Sequence, residues 1–143
     1  MQGVEAQTET VWQQSIRFKV PRLGFINKLD RQGAEIDLTL QSVREKLNCV
    51  PLLINIPSGN ENNFNGIIDL PTMMHYKYID DLGKIVEFEQ INHDHEYYDQ
   101  AMEAREQLID DLSNFDESIA DKYLLGEEIT STEIRDAVRY VIK

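Results

Sequence analysis

Four runs of alternating apolar residues follow one another between Leu52 and Ile91 with short spacers between them, and that succession admits few folds. Leu52, Ile54 and Ile56 share one side of the first run, and Phe64 to Leu70, Met73 to Ile79 and Ile85 to Ile91 supply the others. Parallel neighbours need a crossover of about a dozen residues or more, so these runs predict an antiparallel sheet. Pro57 to Asn60 marks a turn after the first run, and Pro71 an edge or a break after the second. Asp80, Asp81 and Gly83 mark a hairpin between the last two.

The pattern on either side of this block is helical. From His95 to Asn114, Tyr98, Ala101, Arg105, Leu108 and Leu112 form one stripe that Met102 and Ile109 widen. Asp116 to Leu124 reads as a short helix stopped at Leu125-Gly126, and Thr130 with Glu133 has capping-box spacing for a last helix to Ile142. Upstream, Gly3 to Lys19 puts Val4, Val11, Trp12 and Ile16 broadly on one side, and Glu35 to Leu47 puts Ile36, Leu40, Val43 and Leu47 on one stripe. Between them Arg22 to Asn27 holds Leu23, Phe25 and Ile26, a short apolar run of the kind a buried parallel strand shows. The expected class is therefore a strand with flanking helices, α/β in kind, followed by an α+β unit with an antiparallel sheet and helices.

Charge divides the chain at the same place. Residues 1–50 carry seven Lys/Arg against six Asp/Glu, whereas residues 51–143 carry seven against twenty, and the whole stands at −12. A field of that sign disfavours direct contact with a phosphate backbone and attracts basic protein surfaces, which excludes a simple nucleic-acid-binding module. At 143 residues the chain can bury a core without staples, and its single Cys49 excludes an intrachain disulfide framework. No apolar run reaches the roughly 18 residues of a membrane span and no basic-then-apolar leader opens the chain, so a soluble intracellular protein is expected.

Asn27, Lys28, Leu29 and Asp30 stand where the short apolar run ends. In open α/β sheets ligands bind beyond the carboxyl ends of strands, because side chains and loops converge there without disturbing the core. A guanine base offers N1–H and an exocyclic amine side by side, and one carboxylate accepts both. Adenine lacks that pair and would leave the carboxylate unpaired, so a single Asp discriminates between the purines. Asp30 suits that role, Asn27 can offer its amide to the O6 and N7 edge, and the Lys28 stem can cover the flat base. The plain alternative is a polar turn after a strand.

A longer run of residues carries a family resemblance. Gly3-Val4-Glu5-Ala6-Gln7-Thr8-Glu9-Thr10-Val11-Trp12, Pro21-Arg22, Phe25 through Arg31 and Gly33-Ala34 resemble elongation factor G, the translational GTPase that drives translocation on the ribosome. The likeness continues through Pro51 to Pro57, Asn63 to Leu70 and Asp121 to Glu128. It implies that residues 1–47 are the later part of a P-loop GTPase domain and residues 48–143 the G-prime subdomain inserted in it. It also implies that Asn27 and Asp30 contact guanine, that GTP or GDP is the ligand of a longer parent, and that the parent works in bacterial cytoplasm or the mitochondrial matrix.

Phosphoryl transfer needs a Gly-rich amide cradle, a Lys and a Mg²⁺-holding Ser/Thr. The sequence has none: its only Gly-Lys pair is Gly83-Lys84, and no Gly lies five residues before Gly83. Asp80-Asp81-Leu82-Gly83 spells a second-switch motif, but it follows NKxD, the reverse of the family order, and turn chemistry explains it. The chain therefore reads as an excerpt with Met1 an added start, no catalytic residue of its own and no Mg²⁺ site, inactive in isolation. A run Arg22 to Asn27 without flanking strands would leave unpaired backbone and favour self-association.

Asp99, Glu103, Glu106 and Asp110 recur at spacings of four, three and four and so share one helix face. A solvated face is the plain explanation. The resemblance implies instead that this face meets the C-terminal domain of the ribosomal stalk protein, although Asn114 stands where the family has an acid. His93-Asp94-His95-Glu96 suggests a metal, but residues before a helix are ordinarily just polar, no third ligand is evident, and no metal site is expected. Tyr97, Tyr98 and Met102 read as core, as does Cys49. The competing function is a stand-alone, non-catalytic acidic interaction module.

Overall fold

The computed structural model describes residues 3–33, 35–80 and 82–142. Ala34, which closes one of the resembling segments, Asp81 of the hairpin and the start residue Met1 lie outside the described residues.

Two helices open the chain, α1 over Ala6–Arg17 and α2 over Ile36–Leu47. They are clasped at Val4, whose N–H donates to Ser42 Oγ at 3.1 Å and whose carbonyl accepts from Lys46 Nζ at 2.7 Å. Val4 and Leu47 are buried. The first helix begins at Ala6 rather than Gly3 because Gly3 turns the chain at φ +62°, and a Cβ there would meet Ser42 at 2.8 Å. Asn48, left-handed at φ 49°, ends α2.

The antiparallel sheet is a four-strand meander in the order β1 (Asn55–Ser58), β2 (Gly66–Asp69), β3 (Met74–Tyr78) and β4 (Val86–Gln90). β1 starts three residues later than the alternation suggests, with the Leu70 N–H to Ile54 carbonyl bond, 3.1 Å, continuing the pairing just before it. Pro71 falls in the β2–β3 turn, where its missing N–H costs no ladder bond. Register places Ile56 opposite Ile68, Ile68 opposite His75, and His75 opposite Glu89. One row of side chains therefore runs from the apolar centre of the sheet out to a polar rim.

That face is covered by α3 (Tyr98–Ser113), α4 (Glu117–Leu125) and α5 (Ser131–Val141). The core joins Ile56, Ile68, Leu70 and Ile91 to Ala101, Leu108 and Leu112 of α3, Ile119 of α4 and Ile134 and Ala137 of α5. Tyr97, Tyr98 and Met102 pack against it. Asp116 caps α4 by accepting from the N–H of Ser118 and Ile119, and Gly126 at φ 67° closes it. No helix among the described residues is long and apolar enough to cross a membrane.

Thr130 and Glu133 form the full capping box, and Glu133 Oε1 also accepts from Lys122 Nζ at 2.6 Å. Lys122 first, and then the Thr130 N–H and hydroxyl, hold the Glu133 carboxyl down from 4.5 to about 2. A carboxylate held below its unfolded value adds stability above that value and loses it as pH falls through the folded one. Urea unfolding is expected to show a loss between pH 5 and pH 3 that is smaller in Glu133→Gln, and equal losses would refute the linkage. Thr130→Ala should cost about 1 kcal/mol.

One expectation fails. Arg22 to Asn27 is not a strand: none of the described residues pairs with it, and Leu23 and Phe25 are 69% and 87% exposed. A strand is defined by its neighbour, and this run has none among the described residues.

Candidate functional site

The NKxD loop leaves that unpaired run through a left-handed Lys28 at φ 66°. Asn27 Oδ1 accepts the Lys28 N–H at 2.8 Å, and the Lys28 carbonyl accepts from the Arg31 N–H at 3.2 Å, which closes a turn with Leu29 and Asp30 at its tip. The loop is anchored from outside by Glu61, in a short 3-10 turn over Glu61–Asn63 between β1 and β2. The Glu61 N–H donates to the Leu29 carbonyl at 3.2 Å and its Oε1 accepts from the Gly33 N–H at 2.8 Å.

Gly59 makes that anchor possible, since at φ +75° a Cβ would stand 2.0 Å from the Asn63 carbonyl oxygen. A cleft of about 160 Å³ lies between the two loops, lined by Leu29, Ile36, Pro57, Gly59, Asn60 and Gln100.

Asn27, Lys28 and Asp30 thus share one loop, and all three are exposed. Among the described residues the Asp30 carboxylate takes no hydrogen bond or ion pair, so both oxygens remain free to accept. The residues present fit the edge of a base. They do not fit a triphosphate with Mg²⁺, because the sequence has no Gly-rich segment followed by Lys and Ser/Thr.

In α1 and the segment from it to this loop the apolar side chains Val11, Ile16, Phe18, Val20, Leu23 and Phe25 are exposed, while Arg22 lies 4.2 Å from the Trp12 ring and covers it.

Asp99, Glu103, Glu106 and Asp110 lie along α3, and no ion pair among the described residues involves them. Asn114, just past the helix, donates its amide to the Asp110 carbonyl at 2.9 Å.

Three residues are not legible as site builders from the sequence. Glu61 gives no signal beyond a polar loop. Arg105 shows only as part of the α3 stripe. His75 sits fully buried at an inward position of β3, where the alternation places an apolar residue. His95, which the sequence groups with His93 in a run that suggests a metal but is more simply polar, has its Nε2 3.0 Å from Glu89 Oε1 and 3.3 Å from His75 Nδ1. His93 turns outward to Asp94. The two distant partners that the sequence does not reveal, His75 and Glu89, are thus supplied by the sheet.

The chain is similar to a solved structure from Thermus thermophilus, with a TM-score of 0.73 and 26% identity over 94% of its length. It spans only 19% of that larger chain. The pattern of the elongation factor Tu GTP binding domain matches residues 1–137. Because that match takes in nearly all of the sequence, the chain belongs to the elongation factor Tu GTP binding domain family.

Proposed function

We propose that this chain is the guanine-reading and docking portion of a translocating elongation factor of the G type, with residues 1–47 contributing to the nucleotide domain and residues 48–143 forming its G-prime subdomain. The observation that carries the reading is the Asn27–Asp30 loop, braced by Glu61 and presenting a carboxylate without a partner among the described residues. Asp30 takes the N1–H and exocyclic amine of guanine, Asn27 faces the O6 and N7 edge, and the Lys28 stem lies on the base. The exposed apolar residues around Phe25 suit burial beneath the remaining strands of a nucleotide domain.

GTP hydrolysis then belongs to the longer protein, whose phosphate cradle supplies the transition-state electrostatics. GDP titration of the protein carrying this chain with its phosphate-binding segment, with ATP as control, is expected to give saturable binding of GDP only. Equal affinity for the two nucleotides would overturn the base-reading role.

The acids Asp99, Glu103, Glu106 and Asp110 form the docking face for the basic C-terminal domain of the ribosomal stalk protein. Contact carried by charge steering weakens as salt rises. Affinity for that domain is expected to fall steadily as KCl is added and to fall again in Glu103→Lys/Glu106→Lys. Salt-independent binding, or binding indifferent to the reversals, would place the contact elsewhere.

A further inference from the structure

His75, Glu89 and His95 come from two strands and the segment before α3, and their donor atoms converge on one point. His75 Nδ1 lies 3.3 Å from His95 Nε2, His95 Nε2 lies 3.0 Å from Glu89 Oε1, and Glu89 Oε1 lies 3.6 Å from His75 Nδ1. Ligands on a tetrahedral ion with bonds of about 2.0–2.1 Å stand about 3.3 Å apart. The triangle has the size of one face of such a site.

We propose that His75 Nδ1, His95 Nε2 and Glu89 Oε1 bind a divalent transition-metal ion of the zinc class, with its fourth position open to water on the exposed Glu89 side. Two imidazoles and one carboxylate suit Zn²⁺ and Co²⁺ over the harder Mg²⁺ or Ca²⁺, which take mostly oxygen ligands.

The sheet register fixes half of the site. His75 and Glu89 are directly opposite across β3 and β4, so their side chains leave the same face. His75 is fully buried, and its Nε2 has no hydrogen-bond partner among the described residues. Its polar interactions are therefore all at the Nδ1 edge that faces the cluster. Nδ1 is the ring atom of His75 that a neutral imidazole would turn to an ion.

Two features oppose binding and set its strength. Lys77 Nζ lies 2.5 Å from Glu89 Oε1, so an ammonium already neutralises the carboxylate that the ion would use. The His95 Nδ1 accepts the Tyr97 N–H at 3.1 Å, which puts the ring proton on Nε2. An ion at Nε2 requires that proton to pass through water to Nδ1, and the Tyr97 N–H then gives up its acceptor. Net protonation of the ring is unchanged. Affinity in the micromolar range is the consequence, well short of a structural zinc site.

The test is titration of the full 143-residue chain with ZnCl₂ by calorimetry and with CoCl₂ by visible absorption, with the Tyr97 amide followed by NMR. One ion per chain, tetrahedral Co²⁺ bands and a shifted Tyr97 amide are expected. His95→Gln and Glu89→Gln, both at partly exposed positions, should each weaken binding at least about tenfold while circular dichroism shows the fold retained.

Lys77→Met should tighten binding roughly two- to fivefold by removing the competing ion pair. His93→Ala should leave it unchanged. Absence of one-to-one binding overturns the proposal, as does binding that survives His95→Gln and Glu89→Gln or is lost with His93→Ala.

Discussion

Replacing Arg105 by Ala is expected to destabilise the fold by about 3 kcal/mol or more, the largest single effect on stability from a residue outside the apolar core. The guanidinium of this half-buried α3 residue donates to the Leu70 carbonyl at 2.7 Å, the Pro71 carbonyl at 2.8 Å and the Ile129 carbonyl at 2.9 Å. It therefore joins the β2–β3 turn, the long helix and the segment leading into α5. Leu70 and Ile129 belong to the core, so removal of the guanidinium leaves acceptors there without their charged donor.

An Arg–carbonyl bond is stronger than a neutral one, and three of them outweigh the cost of partly burying the charge. Arg105→Lys keeps a charge but loses the planar fork, so it should recover only part of the loss. Arg105→Met keeps most of the apolar stem and separates packing from hydrogen bonding. Urea denaturation of the three variants reads these differences. A loss below about 0.5 kcal/mol in Arg105→Ala, the scale of an ordinary surface substitution, would show that water replaces the guanidinium at little cost.

What the sequence discloses follows from which interactions are local. Thr130 and Glu133 reach one another within a helical turn, and Gly126 acts on its own backbone, so both helix ends are readable from spacing. The meander is readable because alternation and short connectors leave strands only adjacent antiparallel partners.

Arg22 to Asn27 misleads for the converse reason. Its apolar letters describe a buried strand, but burial and pairing both require neighbours that the letters do not contain. His75 and His95 lie 20 residues apart and meet only because β3 pairs with β4 and the chain then returns over the sheet. Arg105 falls on the inward stripe of α3 as its spacing predicts, yet its partners are backbone carbonyls up to 35 residues away, which no side-chain pattern encodes. Asp30 is legible as chemistry before it is legible as geometry. Its brace, Glu61, lies beyond the reach of the motif.

Asp30→Asn is expected to move base preference from guanine to xanthine in the protein that carries this chain together with its phosphate-binding segment. On the proposed base-reading role, the carboxylate would accept from guanine N1–H and from the exocyclic amine. Asparagine keeps one acceptor and turns an N–H₂ toward that amine, donor against donor. The loss of one charge-assisted bond, about 1.5–3 kcal/mol, together with an opposed donor pair at about 1–3 kcal/mol makes the loss of GDP affinity roughly 100- to 10,000-fold.

Xanthine carries a carbonyl where guanine carries the amine, so the same amide N–H₂ regains a partner there, and xanthosine diphosphate should bind the variant more tightly than GDP does. The substitution is unlike a destabilising one because Asp30 is exposed and takes no hydrogen bond or ion pair from the described residues. A fall in GDP affinity through unfolding would carry xanthosine diphosphate down with it. Competition binding with the three diphosphates of guanosine, xanthosine and adenosine reads the exchange directly. Unchanged GDP affinity, or loss without gain of xanthine in a folded protein, would remove Asp30 from the base site.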